Sequence, residues 1–175
     1  MNYKIIPYVE NNGMRSITDE VMLSIFHKIE DSGLREMFFY SGEIDTAEKF
    51  LMLAKAKHNF VNIVVDEDDN IIFVSWLNDF GPNSAFAHFC AFPEIFGTYS
   101  VQVGKDVLRY WFNFKQNGEP ILDTIIGKVP AVNRKAVNYI KKLGLTILGT
   151  IPHLAHGPDK NKRVGDVIAY ITRGD

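Results

Sequence analysis

The sequence predicts a single mixed α+β domain that spans residues 1–175. Three observations support this fold class. The chain has 175 residues, of which 46% are hydrophobic, and this is enough to bury one core. Apolar runs with the period of strands interchange with segments that have the period of helices. No repeat, low-complexity tract or linker divides the chain, and the predicted element order is β-α-α-β-β-β-α-β-α-β-β.

The first three elements follow from composition and capping residues. Tyr3–Val9 is apolar and β-prone and precedes a Glu-Asn-Asn-Gly break, which predicts a strand. A helix is predicted from Thr18 to Gly33, because apolar residues recur on one face between a good N-cap and a common terminator. Asp45 and Glu48 have the spacing of a capping box and predict the start of a second helix.

A change to strand periodicity predicts a β-hairpin in the middle of the chain. The apolar runs Phe60–Val65 and Ile71–Leu77 flank the polar turn Asp66–Asn70. This turn begins like a calcium loop, but Ile71 stands where such a loop requires glycine, so a solvated turn is expected. After a Gly-Pro-Asn turn, Ala85–Phe92 is predicted to form a further strand.

The second half of the chain continues with alternating helices and strands. Gln102–Gln116 has apolar residues at helical spacing and is predicted to be a helix. Asn133–Leu143 is amphipathic, begins with an N-cap residue and is followed by Gly144, so it is the last predicted helix. The predicted strands of this half are Leu122–Ile126, Leu145–Ile151 and Val167–Thr172.

Charge and composition exclude several classes of function. The formal net charge is −2 at pH 7 and no basic block is present, which argues against nucleic-acid binding. No apolar stretch approaches the ~20 residues of a transmembrane helix, and the first residues do not resemble a signal peptide. Cys90 is the only cysteine, so no intrachain disulfide is expected. We therefore expect a cytoplasmic protein without nucleic-acid or membrane partners.

The segment Leu122–Thr150 resembles the C-terminal half of the GNAT superfamily of N-acetyltransferases. It combines a short strand, a helix opened by Asn133, the sequence Lys-Lys-Leu-Gly-Leu at the helix end and a further strand. The resemblance implies a mixed, mostly antiparallel sheet of six to seven strands with about four helices on both faces. It also implies acetyl-CoA as co-substrate, and an acceptor amine that attacks the thioester directly. That amine would belong to a small molecule, a protein N-terminus or a lysine.

Members of this family bind coenzyme A beside a splayed strand and at the start of the helix that follows it. The resemblance assigns these places to Ala85–Phe92 and to a helix start near Val101–Gly104, where free amides and the helix dipole favour a pyrophosphate. The family loop reads Gln/Arg-x-x-Gly-x-Gly/Ala; Tyr99–Gly104 matches only at its last residue, and Gln102 occupies the middle glycine position. An ordinary strand-to-helix turn is the alternative. The residues assigned to cofactor binding are Phe92, Gln102, Val103, Gly104, Lys105 and Asn133.

His88 and Asp79 are the candidates for the general base that deprotonates the acceptor amine. His88 lies mid-strand beside the expected slot, and an imidazole has an unperturbed pKa of about 6.5; a hydrogen-bonded core histidine is the alternative. Asp79 follows the preceding strand, where it also suits a turn. The family's usual general acid is a tyrosine at the position that Ile140 occupies here. Tyr139, one residue earlier, is expected to be a packing or surface side chain.

No metal ion is expected, and the protein is expected to be a monomer or a homodimer. His153 and His156 offer two imidazoles without an apparent third ligand, and Cys90 is interpreted as a small hydrophobe. Two alternatives to an enzyme remain open: an inactive protein of the same fold that acts as a binding module, and an unrelated α+β domain. The latter would pair Ala85–Phe92 with Leu122–Ile126 along their full length and leave no slot.

Overall fold

A computed structural model describes residues 2–157 and 162–175 and confirms the predicted α+β fold class. Within these ranges the helices are α1 (Asp19–Asp31), α2 (Arg35–Phe38), α3 (Ala47–Lys55), α4 (Thr98–Phe112) and α5 (Arg134–Leu143). The strands are β1 (Tyr3–Pro7), β2 (Glu10–Asn11), β3 (Met14–Arg15), β4 (Phe60–Asp66), β5 (Ile71–Asn78), β6 (Ser84–Ala91), β7 (Lys115–Gln116), β8 (Glu119–Pro120), β9 (Thr124–Pro130), β10 (Thr146–His156) and β11 (Arg163–Thr172).

Seven strands form one sheet in the order β1-β4-β5-β6-β9-β11-β10. Every neighbouring pair is antiparallel except β6 and β9, which run parallel. Parallel neighbours need a long crossover connection, and α4 forms part of it. The pairs β2–β3 and β7–β8 are short separate hairpins. The sheet is therefore mixed and mostly antiparallel, as the sequence predicted.

Helices cover both faces of the sheet and bury two hydrophobic clusters. α4 and α5 lie on one face, where Val103, Trp111 and Leu143 pack against alternate residues of the strands. α1 and α3 lie on the other face, where Phe26 and Phe50 are fully buried. Burial of one such aromatic side chain stabilises the fold by about 1.5–3 kcal/mol. Because each helix is apolar on one side only, both faces of the sheet become hydrophobic layers.

Capping follows the sequence prediction at three helix ends and departs from it at one. Thr18 caps α1 and Asn133 caps α5 through side-chain oxygens. Gly144 ends α5 in the left-handed conformation, with a φ of 99°. The predicted cap at Asp45 is wrong by one residue, because the hydroxyl that caps α3 belongs to Thr46.

Several predicted boundaries are wrong in ways that bear on the site. α4 begins at Thr98, earlier than the predicted start, while β9 ends at Pro130 and β10 at His156, later than predicted. The last change turns part of the connection between the predicted strands Leu145–Ile151 and Val167–Thr172 into strand; residues 158–161 lie outside the described residues. The sequence does not predict α2, since a helix of 4 residues shows no periodicity. No helix in the described ranges is long and apolar enough to cross a membrane.

Candidate functional site

The parallel junction of the sheet opens into a slot, because β6 and β9 pair along only part of their length. Pairing ends at Ala87 and Gly127. β6 continues to Ala91 and β9 to Pro130 without further pairing between them. This arrangement contradicts the full-length pairing that an unrelated α+β domain would show.

A cavity of about 530 Å³ occupies the slot. On the sheet face covered by α4 and α5, its lining includes Ser100, Asn133 and Tyr139. On the face covered by α1 and α3, its lining includes Phe38 and His88. The volume is typical of a small-molecule site. Because the cavity is lined from both faces, two ligands that enter from opposite sides of the sheet can meet in it.

Unpaired backbone groups of β6 line this slot. The Phe92 N–H donates to the Ile72 carbonyl at 3.1 Å, so it points toward β5. Successive N–H groups of a strand point to opposite edges. The N–H groups of Phe89 and Ala91 therefore point toward the edge that β9 leaves open. Each is a hydrogen-bond donor for a ligand in the slot.

The start of α4 faces the same slot. Gly97 is the N-cap residue, with a φ of 95° that favours glycine, and no side chain caps the helix. The Ser100 hydroxyl donates to the Gly97 carbonyl at 2.9 Å instead of accepting from a first-turn amide. Gly97, Ser100 and Val101 all line the cavity. The first-turn amides of α4 thus form a potential anion site.

Gln102, Val103, Gly104 and Lys105 lie after the first turn of α4, not at its start. Their amides serve the hydrogen bonds of the helix itself, which corrects the predicted position of the anion site. Gln102 donates to the Asp106 carboxylate at 3.0 Å, and none of the four residues lines the cavity. The resemblance placed the helix start too late in the chain, because it matched Gly104 with the last glycine of the family loop, whereas α4 begins at Thr98.

Gly104 has a packing role instead. A Cβ at this position would collide with the Tyr139 hydroxyl and lie 2.7 Å from Leu143 Cδ2. The Tyr139 hydroxyl donates to the Ser100 carbonyl at 2.8 Å, and burial raises the pKa of this phenol. Tyr139 is thus a packing residue, as predicted, although it also lines the cavity. Gly104 allows α4 and α5 to approach closely enough to form one wall of the site.

Asn133 lies at the start of α5, where the sequence predicted a cap, and also beside the cavity. Its Oδ1 accepts from the Ala136 amide at 3.2 Å, which makes it the N-cap of α5. The residue also lines the cavity where β9 gives way to α5. Capping holds the side chain in place, and an amide group retains further hydrogen-bonding capacity beside the slot.

His88 lies on β6 directly after Ala87, the last residue that pairs with β9. Its ring stacks on Trp76, with centroids 4.7 Å apart, and its Nε2 lies 3.0 Å from the Asn78 Oδ1. The carbonyl oxygen can only accept, which assigns the imidazole proton to Nε2 and leaves Nδ1 as an acceptor. Burial lowers the pKa of His88 to about 4; the Asp79 carboxylate opposes this shift and Lys128 reinforces it. The imidazole is therefore neutral at pH 7.

Three titratable residues on the His88 side of the sheet were not among the candidates predicted from the sequence: Tyr40, Lys128 and Asp166. The register of β9 and β11 places Lys128 and Asp166 on the same face of the sheet. Asp166 is 1% exposed, and its Oδ1 has no hydrogen-bond partner among the described residues. Burial raises the pKa of Asp166, which Lys128 opposes. Burial, together with the Asp166 charge, also raises the pKa of Tyr40 to about 12.

The remaining candidates belong to the core or to β10. Phe92 is fully buried, with the Lys28 ammonium 4.6 Å from its ring centroid, and does not line the cavity. Cys90 does line it, but burial raises the pKa of the thiol to about 12, so the thiolate is scarce at neutral pH. His153 and His156 lie in β10, and the described part of the chain holds no group of three or more side chains suited to a metal ion.

Comparison with solved structures identifies the fold. No family model and no curated protein matches the chain. The spermidine N-acetyltransferase from Vibrio cholerae in complex with CoA and spermine aligns with a TM-score of 0.71 at 18% identity, over 97% of this chain and 96% of that chain. A dodecameric structure of spermidine N-acetyltransferase from Vibrio cholerae gives a TM-score of 0.69 at 18% identity, over 98% and 94%. The chain therefore has the GNAT fold, and the resemblance is confirmed at that level.

Proposed function

We propose that the chain is a single-domain, acetyl-CoA-dependent N-acetyltransferase. The observation that carries the proposal is the slot between β6 and β9, which opens toward both faces of the sheet beside a neutral imidazole. A structural neighbour with the same fold was solved with CoA and spermine. Since one fold supports many functions, the argument rests on the residues of the slot.

The slot suits acetyl-CoA in three respects. The free N–H groups of Phe89 and Ala91 can pair with the amide groups of a pantetheine arm that replaces the missing strand. The uncapped start of α4 offers amides and a positive dipole end to a pyrophosphate. Lys135 and Lys142 line the cavity from α5 and can neutralise phosphate charge. Asn133 is held between these groups.

The chemistry needs a neutral amine and a stabilised oxyanion. When bound, acetyl-CoA supplies a thioester carbonyl. The Nδ1 of His88 accepts a proton from the acceptor ammonium, directly or through water, and the Asp79 carboxylate favours the protonated imidazole that results. The Phe89 N–H donates to the developing oxyanion. A nitrogen–carbon bond forms and the carbon–sulfur bond breaks, so no covalent enzyme intermediate is required, which agrees with the un-ionised Cys90.

A catalytically inactive binding module is the second candidate, and Ile140 favours it. This residue occupies the position of the family's tyrosine acid and is 4% exposed, so no hydroxyl stands there to protonate a leaving thiolate. A simple thiol, however, has a pKa of about 8.5, as in cysteine, and can leave as the thiolate near neutral pH without a general acid. We therefore place the enzyme first.

Calorimetric titration with acetyl-CoA tests the cofactor half of the proposal. Binding is expected to release heat and to raise the melting temperature as the ligand concentration rises. Release of free thiol in the presence of a panel of primary amines tests the transfer. Absence of acetyl-CoA binding at millimolar concentration would overturn the proposal, whereas binding without transfer to any amine would favour the inactive module.

A variant pair tests the role of His88. His88→Gln is expected to lower kcat by about 100-fold, the lower end of what a positioned general base contributes, because a pKa of about 4 makes this imidazole a weak base; the Kd for acetyl-CoA should stay close to wild type. His58→Gln is the matched control, since His58 is exposed and lies outside the cavity. Equal turnover of the two variants would remove His88 from the mechanism.

A further inference from the structure

The charged side chains that line the cavity are all lysines. They are Lys128, Lys135 and Lys142, and no aspartate or glutamate of the described residues joins them. A ligand with several positive charges would meet like charge along this lining, and salt screens part of the repulsion because all three lysines are exposed. A ligand with negative charge would be attracted. The charged side chains of the cavity therefore favour a ligand that carries negative charge.

The three lysines divide between the two faces of the sheet. Lys135 and Lys142 belong to α5, whose face receives the phosphates in the proposed function. Lys128 points the other way, because its neighbour Val129 packs into the cluster beneath α4 and α5 and side chains alternate along a strand. Its ammonium lies 5.8 Å from the ring centroid of Phe86, two residues before His88 on the same face of β6. Lys128 thus stands on the acceptor side.

The carboxylates near Lys128 leave its charge available to a ligand. Asp166 is 1% exposed and lies on the neighbouring strand β11, on the same face as Lys128, but it does not line the cavity and no ion pair joins the two side chains. Asp79 is exposed at the end of β5, where its charge acts on His88. His88 therefore provides a place for the reacting amine, and the Asp79 charge acts on it from outside the cavity. Lys128, itself exposed, provides a place for a group of opposite sign.

We infer that the acceptor is an amine that also carries an anionic group, a carboxylate or a phosphate, and that Lys128 is the residue that selects it. The inference rests on the proposed function and adds the chemical class of its acceptor. The amine lies at His88, the anionic group pairs with Lys128, and the carbon skeleton packs against Met37 and Phe38. The structural neighbours named for spermidine act on a polycation, which this arrangement disfavours.

Sets of matched acceptors compare amines that carry a carboxylate or a phosphate with amines that carry no anionic group and with a diamine. Leucine is compared with isoamylamine, and phosphoethanolamine with ethanolamine, because each pair differs only by the anionic group. δ-Aminovalerate, pentylamine and cadaverine form a third set of equal chain length. We expect the anionic member of at least one set to exceed its neutral partner by about tenfold in kcat/KM, with cadaverine lowest in its set.

Variants assign the preference to Lys128. Lys128→Met keeps the length of the side chain without its charge and is expected to bring anionic and neutral acceptors to equal kcat/KM; Lys128→Glu is expected to favour cadaverine. Lys135→Met is the control on the cofactor side: it should raise the KM for acetyl-CoA and leave the order of acceptors unchanged. An unchanged order in Lys128→Met, or wild-type preference for cadaverine, would overturn the inference.

Failure of this inference is distinguishable from failure of the proposed function. Loss of acetyl-CoA binding removes the proposed function itself and appears in the titration before any acceptor is added. Where acetyl-CoA binds but turnover is undetectable, acceptor affinities measured by calorimetry on the CoA-loaded protein replace kcat/KM, and the same order is expected. If acetyl-CoA binds but no anionic amine does, the inference about the acceptor is refuted and the proposed cofactor binding still stands.

Discussion

Replacement of Gly104 by alanine tests whether the close approach of α4 and α5 is built on this residue. The new Cβ would collide with the Tyr139 hydroxyl and lie 2.7 Å from Leu143 Cδ2. To relieve the contact, the tyrosine ring must move and leave the Ser100 carbonyl, to which its hydroxyl now donates at 2.8 Å. The substitution therefore strains the wall of the cavity without touching an exposed residue.

Two effects of opposite sign determine the magnitude. Alanine is favoured over glycine in a helix interior by about 1 kcal/mol. Overpacking of a fitted core costs about 1–3 kcal/mol, and a buried phenol hydroxyl without a partner costs about 1–3 kcal/mol. We expect a net loss of about 2 kcal/mol in the free energy of unfolding, which lowers the melting temperature by about 6 °C in a domain of this size.

A double-mutant cycle with Tyr139→Phe isolates the collision. Tyr139→Phe alone is expected to cost about 1 kcal/mol for the lost hydrogen bond. In that background the hydroxyl is absent, so Gly104→Ala should cost at least 1 kcal/mol less than it does in the wild type. Urea denaturation of the four proteins gives the coupling free energy. Additivity within about 0.3 kcal/mol, or a stabilised single variant, would show that the helices do not depend on this contact.

Three further predictions concern titration and capping. The pKa of His88 falls from about 6.5 in the unfolded chain to about 4 in the folded one, so the unfolded chain binds more protons between these values. Wild-type stability should thus decrease as the pH falls through this window, by up to about 2 kcal/mol at pH 5, and a stability–pH profile of His88→Gln should be flatter. Asp166→Asn should raise the free energy of unfolding at pH 7 by about 1 kcal/mol, because burial raises the pKa of this carboxyl and so disfavours its charged form. The gain should vanish in acid, where the wild-type carboxyl is protonated and uncharged. Asn133→Ala should cost about 1 kcal/mol in stability through the lost cap and raise the KM for acetyl-CoA. Asn133→Ser keeps a capping oxygen and should restore the stability more fully than the KM.

Local chemistry made much of the fold predictable. Thr18, Asn133 and Gly144 cap helices where the sequence indicated, because capping depends on hydrogen bonds within one helical turn. The hairpin of β4 and β5 was predictable for the same reason, since Asp66 closes its turn through bonds to the Asp68 and Asn70 amides. His88 was proposed from its residue type and its place on a strand, both of which are local properties, and the structure places it on β6 beside the cavity.

The geometry of the slot was not predictable, because it depends on where pairing between β6 and β9 stops. The sequence around Ala87 and Gly127 does not indicate that β6 and β9 stop pairing after these residues. The start of α4 was missed for a related reason: Gly97 begins the helix through a backbone conformation and not through a capping side chain. Periodicity counted from Val103 therefore placed the helix start too late.

The charge that we propose selects the acceptor is likewise a product of strand register. Lys128 reaches the acceptor side because Ile125, Gly127 and Val129 fill the positions that face α4 and α5. A slip of one residue in β9 would turn the lysine into that hydrophobic cluster and its apolar neighbours into the cavity, so the packing of the core enforces the orientation of the charge. The same register sets Asp166 opposite Pro130, on the same face as Lys128, where it makes no ion pair with the lysine. The proposed specificity for the acceptor would thus depend on the residues that bury the opposite face of the strand.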